Sequence, residues 1–317
     1  MSVSRFGEIQ ADAFLGSAHD NSPFGKIWYV DVTNGSDGNA GDSPDQAYAS
    51  IGAAISAAFA TRGDSVHIAP GTYTITSALV PKAFMTFRAA VINPQAPSVS
   101  IRGDLTRLAT VDVNGVRFIG IEFRATGSSA GSAANRDLVA LADTTAITGG
   151  VTFEDCVFHG ADATGGVHNG VTGVWAADPT NAVTGLVIRR CAFRDLGKTL
   201  LEFGVGGAPY AMVEDNSFVI DTNLGWGISI ADTAAFGTGK GYVIRNNEFI
   251  GPDATTTSQV GIRLVGTLNT TAVGIMRNNY FSYCGSTPIT QDIMPDAIVE
   301  NYHSGNDGSD VVDGSLT

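Results

Sequence analysis

Residues 152–158 read TFEDCVF, and the phrase returns as VIRRCAF (187–193), MVEDNSF (212–218), VIRNNEF (243–249) and IMRNNYF (275–281). Each copy is an apolar pair, two polar residues, Asn or Cys, any residue, then Phe. Weaker copies flank the set, FIGIEF (118–123) and IVENYH (298–303). From Phe123 to Phe281 the steps between the aromatic positions are 35, 35, 25, 31 and 32 residues. A constant phrase with a variable step describes a coil that returns to one place while loops on one side differ in length. The chain therefore reads as all-β, a single-stranded right-handed parallel β-helix of about nine coils.

Stacking the copies turns each position into a column. Asn216, Asn247, Asn279 and Asn301 form an internal ladder at a bend, where Asn tolerates left-handed geometry and bonds backbone. Cys156 and Cys191 fill the same slot on earlier coils and read as small buried fillers. Phe158, Phe193, Phe218, Phe249 and Phe281 form a stacked aromatic column. The first polar position runs Glu154, Arg189, Glu214, Arg245, Arg277 and the second Asp155, Arg190, Asp215, Asn246, Asn278. Opposite charges on coils ~4.8 Å apart support stacking.

A second strand recurs between the phrases: LVALAD (138–143), GVWAAD (173–178), LLEFG (200–204), GISIAD (227–232), GIRLVG (261–266) and PITQD (288–292). Alternation points Ala140, Trp175, Glu202, Ser229, Arg263 and Thr290 outward. A Trp beside a carboxylate can stack on a sugar ring and accept its hydroxyl bonds, so Trp175, Glu202 and Arg263 are the expected carbohydrate-binding residues. Asp143, Asp178 and Asp232 share the strand-end position. Asp143 and Asp178 fall on consecutive coils and could pair as glycosidase carboxylates, although Ala-Asp-Thr and Ala-Asp-Pro also start turns.

Upstream, Ile27–Val32 reads as a strand, followed by a polar loop. Ser50 then N-caps a helix whose face is Ile51, Ala54, Ile55, Ala58 and Phe59, with Gly63 placed to stop it. Such a helix covers the open first coil. The stretch YVD…NGSDGNAGDSPDQAYASIGAAISAA…GDSVHIAPGTYT, together with the Asn-x-Phe repeats, resembles the pectate-lyase-like right-handed β-helix superfamily. That resemblance implies the fold. The superfamily holds polysaccharide lyases, glycoside hydrolases, phage tailspikes and virion proteins, and no superfamily catalytic motif stands in this chain. The expected organisation is an arm (1–26), a strand, loop and capping helix (27–63), the β-helix (64–303) and a polar tail (304–317).

The chain carries 31 Asp+Glu against 18 Lys+Arg, a formal charge of −13, which disfavours nucleic acid and anionic lipid as partners. Lysine occurs only at Lys26, Lys82, Lys198 and Lys240, leaving few candidates for a lyase base. The start MSVSRFGEIQADAF shows no apolar signal core and no later stretch suits a bilayer span, so membrane insertion and Sec export are not expected. Neither the cysteine spacing nor the set His159, Asp162, His168 makes a convincing metal site. Asp31, Asn34, Asp37, Asn39 and Asp42 fit a turn better than a Ca²⁺ loop. No metal and no cofactor is expected.

These features lead to one expectation and two alternatives. The expectation is a structural or adhesive phage virion protein, of head-decoration or spike type. It contacts other virion proteins, its own copies as a homo-oligomer such as a trimer, and a cell-surface glycan. The first alternative is an extracellular polysaccharide lyase or glycoside hydrolase working in a groove on the helix face, with Asp143, Asp178 and Glu202 as its catalytic residues. The second is a non-catalytic glycan-binding module.

Overall fold

The structure is a computed structural model. It describes residues 25–93, 96–126, 136–160, 168–169, 171–176, 181–197, 199–203, 208–220, 226–232, 241–251, 260–266, 273–282, 289–291, 297–299 and 302–304. Their strands form three long parallel sheets of ten, nine and seven strands, where about nine coils were expected, plus a two-stranded pair. The apolar half of each phrase lies in the ten-stranded sheet, as in Val151–Glu154 between Val116–Ile119 and Leu186–Arg189. The Phe half lies in the nine-stranded sheet, as in Val157–His159 between Ile121–Ala125 and Ala192–Arg194. The second strand set forms the seven-stranded sheet.

Between the first two sheets the chain turns on Asp155, Arg190, Asp215, Asn246 and Asn278, all with φ between 52° and 57°. Left-handed geometry thus falls one residue before the Asn/Cys slot where the sequence placed it. The bend leaves the next side chain inside the coil, where it bonds backbone. Asn216 Nδ2 donates to Ile188 O (3.0 Å) and Asn247 Nδ2 to Val213 O (3.0 Å). The Oδ1 atoms of Asn216, Asn247 and Asn279 accept the backbone N–H of the previous coil's slot residue, Cys191, Asn216 and Asn247. Cys156 and Cys191 are buried in the same slot, and Asn301 lies outside the described residues.

Six phenylalanine rings from Phe123 to Phe281 stack along the interior, and those from Phe158 onward are 4.6–4.8 Å apart. Such stacks add to the area each ring buries. Outside the ten-stranded sheet, Glu154, Arg189, Glu214, Arg245 and Arg277 stand in register. Arg189 Nη2 meets Glu154 Oε2 at 2.8 Å, and Arg245 Nε meets Glu214 Oε2 at 2.9 Å. These partly exposed pairs contribute little individually, but they favour one stacking register.

The helix spans Ile51–Ala57, with Ser50 Oγ accepting from Ala53 N (3.1 Å) and Ile51, Ala54 and Ile55 buried. It packs against the strands Ile27–Val30 and Ser65–Ile68. It stops earlier than the sequence suggested. Phe59 is 47% exposed beneath Arg62, and Gly63 (φ 79°) serves the turn into the next strand. The cause is Asp64, which is fully buried and draws Phe59 N (3.0 Å) out of the helical pattern. Its carboxylate also accepts from Lys26 N (2.9 Å), Trp28 Nε1 (3.0 Å) and Arg62. Burial pushes the Asp64 carboxyl up, but the Arg62 guanidinium and the Lys26, Trp28 and Phe59 donors outweigh it and hold it down at about 2.

Candidate functional site

The seven-stranded sheet is built from Arg107–Val111, Arg136–Leu141, Val171–Ala176, Thr199–Phe203, Trp226–Asp232, Val260–Gly266 and Ile289–Gln291. Its register sets Thr110, Ala140, Trp175, Glu202, Ser229, Arg263 and Thr290 side by side. The column read from alternation is therefore one row across six coils, extended by Thr110. Its members differ in environment. Trp175 and Glu202 are partly exposed, while Ala140 and Ser229 are buried. The Arg263 side chain and the whole of Asp178 lie outside the described residues, so the Asp143–Asp178 pair has no geometry here.

Trp175 is not a bare platform. The guanidinium of Arg107, two strands away, lies over its ring at 5.3 Å from the centroid. Ala140, the residue beside Trp175 on the intervening strand, is small enough to leave that path open. Arg107 is in turn held by two carboxylates. Its Nη1 meets Asp143 Oδ2 at 2.5 Å and its Nε meets Asp137 Oδ2 at 3.5 Å. Asp137 is 4% exposed, whereas Arg107 and Asp143 reach solvent at 27% and 28%. Burial acts to lower the Arg107 pKa, but the bond and charge of Asp143, joined by Asp137, raise it above the ordinary value.

Local backbone explains how the group meets. Asp143 follows Ala142, whose left-handed φ of 53° turns the chain off its strand. The Asp143 carboxylate therefore bonds Arg107, not the turn. Thr144 N and Oγ1 bond Asp112 instead, at 3.3 and 2.7 Å. Asp232 stands on the strand next to that of Glu202, three residues past Ser229, and pairs with Gly266. Arg107 and Asp137 lie just outside the six copies of the second strand, the first of which is LVALAD (138–143). The signal was RLATV (107–111) just before the weak copy FIGIEF, with Arg107 opposite Asp137.

The two residue sets weighed and set aside as metal ligands bond otherwise. His159 closes the strand Val157–His159 between two carboxylates, and Asp162 lies outside the described residues. Asp31 Oδ1 accepts from Thr33 N (2.8 Å) and Asn34 N (3.1 Å), and Asp37 accepts from Ser50 N and Oγ (both 2.8 Å). Those oxygens organise the loop and the helix start. Among the described residues no group of three or more His, Cys, Asp or Glu converges on a metal position.

Fold and site together define a parallel β-helix with an arginine–dicarboxylate–tryptophan cluster on one outer face. The solved structures it resembles share the right-handed β-helix. The pectin methylesterase from Aspergillus niger superposes with a TM-score of 0.54 at 17% identity, covering 94% of this chain and 89% of that one. The rice weevil pectin methyl esterase gives 0.54 at 12% identity, covering 96% and 90%. The pectin methylesterase of Erwinia chrysanthemi gives 0.52 at 10% identity, covering 89% and 93%. Identities this low establish the fold. The chain matches no protein-family model and no curated protein.

Proposed function

We propose that the protein is a carbohydrate esterase that hydrolyses an esterified polysaccharide laid across the outer face of the seven-stranded sheet. The observation that carries this reading is Arg107, bonded to Asp137 and Asp143 with the Trp175 ring beside it. Two of its five N–H donors face the carboxylates, which leaves others for an acyl oxygen that gains negative charge during hydrolysis. Asp143, at the surface and oriented by Arg107, takes the proton of the water that attacks the acyl carbon and returns it to the alkoxide as the acyl–oxygen bond breaks and the alcohol departs. Asp137, buried below, fixes the guanidinium. Trp175 and Glu202 hold the sugar by ring contact and hydroxyl bonds.

Charge and bonding select among reaction types. A free polyuronate would meet Asp137, Asp143 and Glu202 around a single guanidinium, whereas an esterified or neutral chain avoids that repulsion. A lyase needs an unencumbered base, and Arg107 is held by two carboxylates. A glycosidase needs one carboxyl free to donate a proton, and both partners here are tied to one cation. The likeness to pectin methylesterases supports a polysaccharide-directed role over the phage virion role expected from the sequence. An extracellular location fits that substrate, and light scattering tests whether the chain associates with its own copies.

The test is release of alcohol or acid from methyl-esterified and acetylated polysaccharides by wild type, Asp143→Asn and Arg107→Gln. Turnover by wild type that falls about 10²-fold or more in both variants supports the reading. No turnover on any ester, with glycan binding intact, would establish the non-catalytic module instead.

A further inference from the structure

The outer face of the ten-stranded sheet carries more than its charge row. Two residues nearer the strand start, register sets Arg117, Thr152, Val187, Met212, Val243 and Ile275 side by side on consecutive coils. From Val187 onward the row is apolar. Val187, Met212 and Val243 are half-buried and Ile275 is 42% exposed. A continuous apolar ridge facing outward marks a contact surface.

Beside the ridge, two residues earlier on each coil, runs a turn column of Gly115, Gly150, Gly185, Tyr210 and Gly241. The first four have left-handed φ between 60° and 77°. Glycine adopts that geometry freely and tyrosine does not. Tyr210 is 59% exposed, so burial within one chain offsets little of the cost. An outlier of this kind points to a use beyond the chain itself. On the coil before it, a side chain added at Gly185 would meet only Gly150 Cα, at 3.7 Å, among the described residues. An exposed ring thus stands next to an open glycine slot.

The charges say what covers this face. Each coil carries one sign in both polar columns: negative at Glu154 and Asp155, positive at Arg189 and Arg190, negative at Glu214 and Asp215. A second copy laid parallel would set like charges together, coil by coil. A copy turned end for end, about a two-fold axis along the strands between the coils of Arg189 and Glu214, does the opposite. Arg189 then faces the partner's Glu214, Arg190 the partner's Asp215 and Glu154 the partner's Arg245. The same rotation lays Val187 on the partner's Met212 and Tyr210 on the partner's Gly185. At the rim Arg117 meets the partner's Ile275 and Arg277 the partner's Ile119, so no like charges share a column. Within one chain both bonds from Arg245 fall on Glu214 Oε2, and Glu214 Oε1 accepts nothing among the described residues. Moving the axis one coil further along would set Arg189 against the partner's Arg277.

We propose that the outer face of the ten-stranded sheet is the interface of an antiparallel homodimer, in which Tyr210 of each copy seats on the Gly185 slot of the other. The contact is isologous, each residue pair occurring twice. Ridge and glycine slot supply the apolar contact, and the charge columns fix direction and register. The face spans about six coils at ~4.8 Å and about five residues at ~3.3 Å, so the dimer hides on the order of 900 Å², the size of a weak, reversible contact. The seven-stranded sheet stays open, so this inference is independent of the esterase reading.

The experiment is sedimentation velocity on the full chain over a concentration series at ~0.15 M salt, which screens charge beyond about 8 Å. Wild type is compared with Arg189→Glu, Glu214→Arg, an equimolar mixture of those two, and Tyr210→Gly. Wild type is expected to dimerise reversibly. Each charge variant alone should dimerise about tenfold more weakly or worse, since it sets like charges together twice. Their mixture should recover the dimer, because the glutamate introduced in one faces the arginine introduced in the other and the second contact is native. Tyr210→Gly should weaken the dimer about tenfold without lowering the melting temperature of the dilute monomer, since glycine fits a left-handed φ. Thermal melts check the fold of each variant, and Tyr210→Gly alone decides if a charge variant does not fold. A chain that stays monomeric up to about 1 mM would overturn the proposal. So would a trimer, a dimer as strong in Tyr210→Gly as in wild type, or a mixture of folded charge variants no better than its parts.

Discussion

Asn216 Nδ2 donates to Asn247 Oδ1 at 2.9 Å from one coil to the next, with both residues buried. The same Oδ1 takes the Asn216 backbone N–H, and Asn247 Nδ2 feeds Val213 O and Asn279 Oδ1. One side chain therefore satisfies polar groups on the coils before and after its own. Each buried group left without its partner costs about 1–3 kcal/mol. Asn247→Ala is expected to lower stability by roughly 3 kcal/mol or more, read from urea unfolding midpoints. Asn247→Leu should be no better, since it fills the space but leaves the same groups unbonded. A loss below about 1 kcal/mol would show that the ladder is dispensable.

The buried Asp64 joins Lys26, Trp28, Phe59 and Arg62 at the first coil. Its carboxyl lies at about 2, against 3.8 in its ordinary state. A depressed acid stabilises the fold above its unfolded value and loses that contribution as pH falls through its folded value. About 2 kcal/mol should therefore be present above pH ~4 and vanish toward pH ~2. Melting temperature followed across that window should fall more steeply in wild type than in Asp64→Asn, which is less stable at neutral pH. Parallel slopes in the two proteins would remove Asp64 as the cause.

Cys156 and Cys191 occupy ladder slots on adjacent coils, both buried and both free. Burial, with the neighbouring Cys156 side chain, pushes the Cys191 thiol well above its ordinary value. With the chain's third cysteine removed as Cys284→Ser, a thiolate-seeking reagent should leave both unlabelled in the native protein and label both after denaturation. Rapid native labelling would mean that the coil opens at this point.

Much of the fold is legible because a repeat makes each position a column, and columns constrain one another. The Phe stack, the Asn and Cys slot and the Glu154-to-Arg277 charge row emerge from alignment of five short phrases, and the Trp175–Glu202–Ser229–Arg263 row from alignment of the second strand. Effects that cross columns are harder to see. The left-handed residue was displaced by one, since backbone bend and inward side chain are separate jobs of adjacent residues. The helix end at Ala57 depends on Asp64, whose pull on Phe59 N appears only once both are placed. Arg107 reaches Trp175, two strands away, over the alanine of the intervening strand, and Asp143 reaches Arg107 because Ala142 turns left-handed. Such side-chain reach has no period to read.

The central claim is that an esterified polysaccharide lies on the seven-stranded sheet, and a crystal structure with a methyl-esterified oligogalacturonate tests it most directly. The account predicts a sugar ring against Trp175, with an ester carbonyl oxygen within hydrogen-bond distance of Arg107 and Asp143 beside the ester carbon. An oligosaccharide seated on either of the other two sheets, with the Arg107 group untouched, would contradict it.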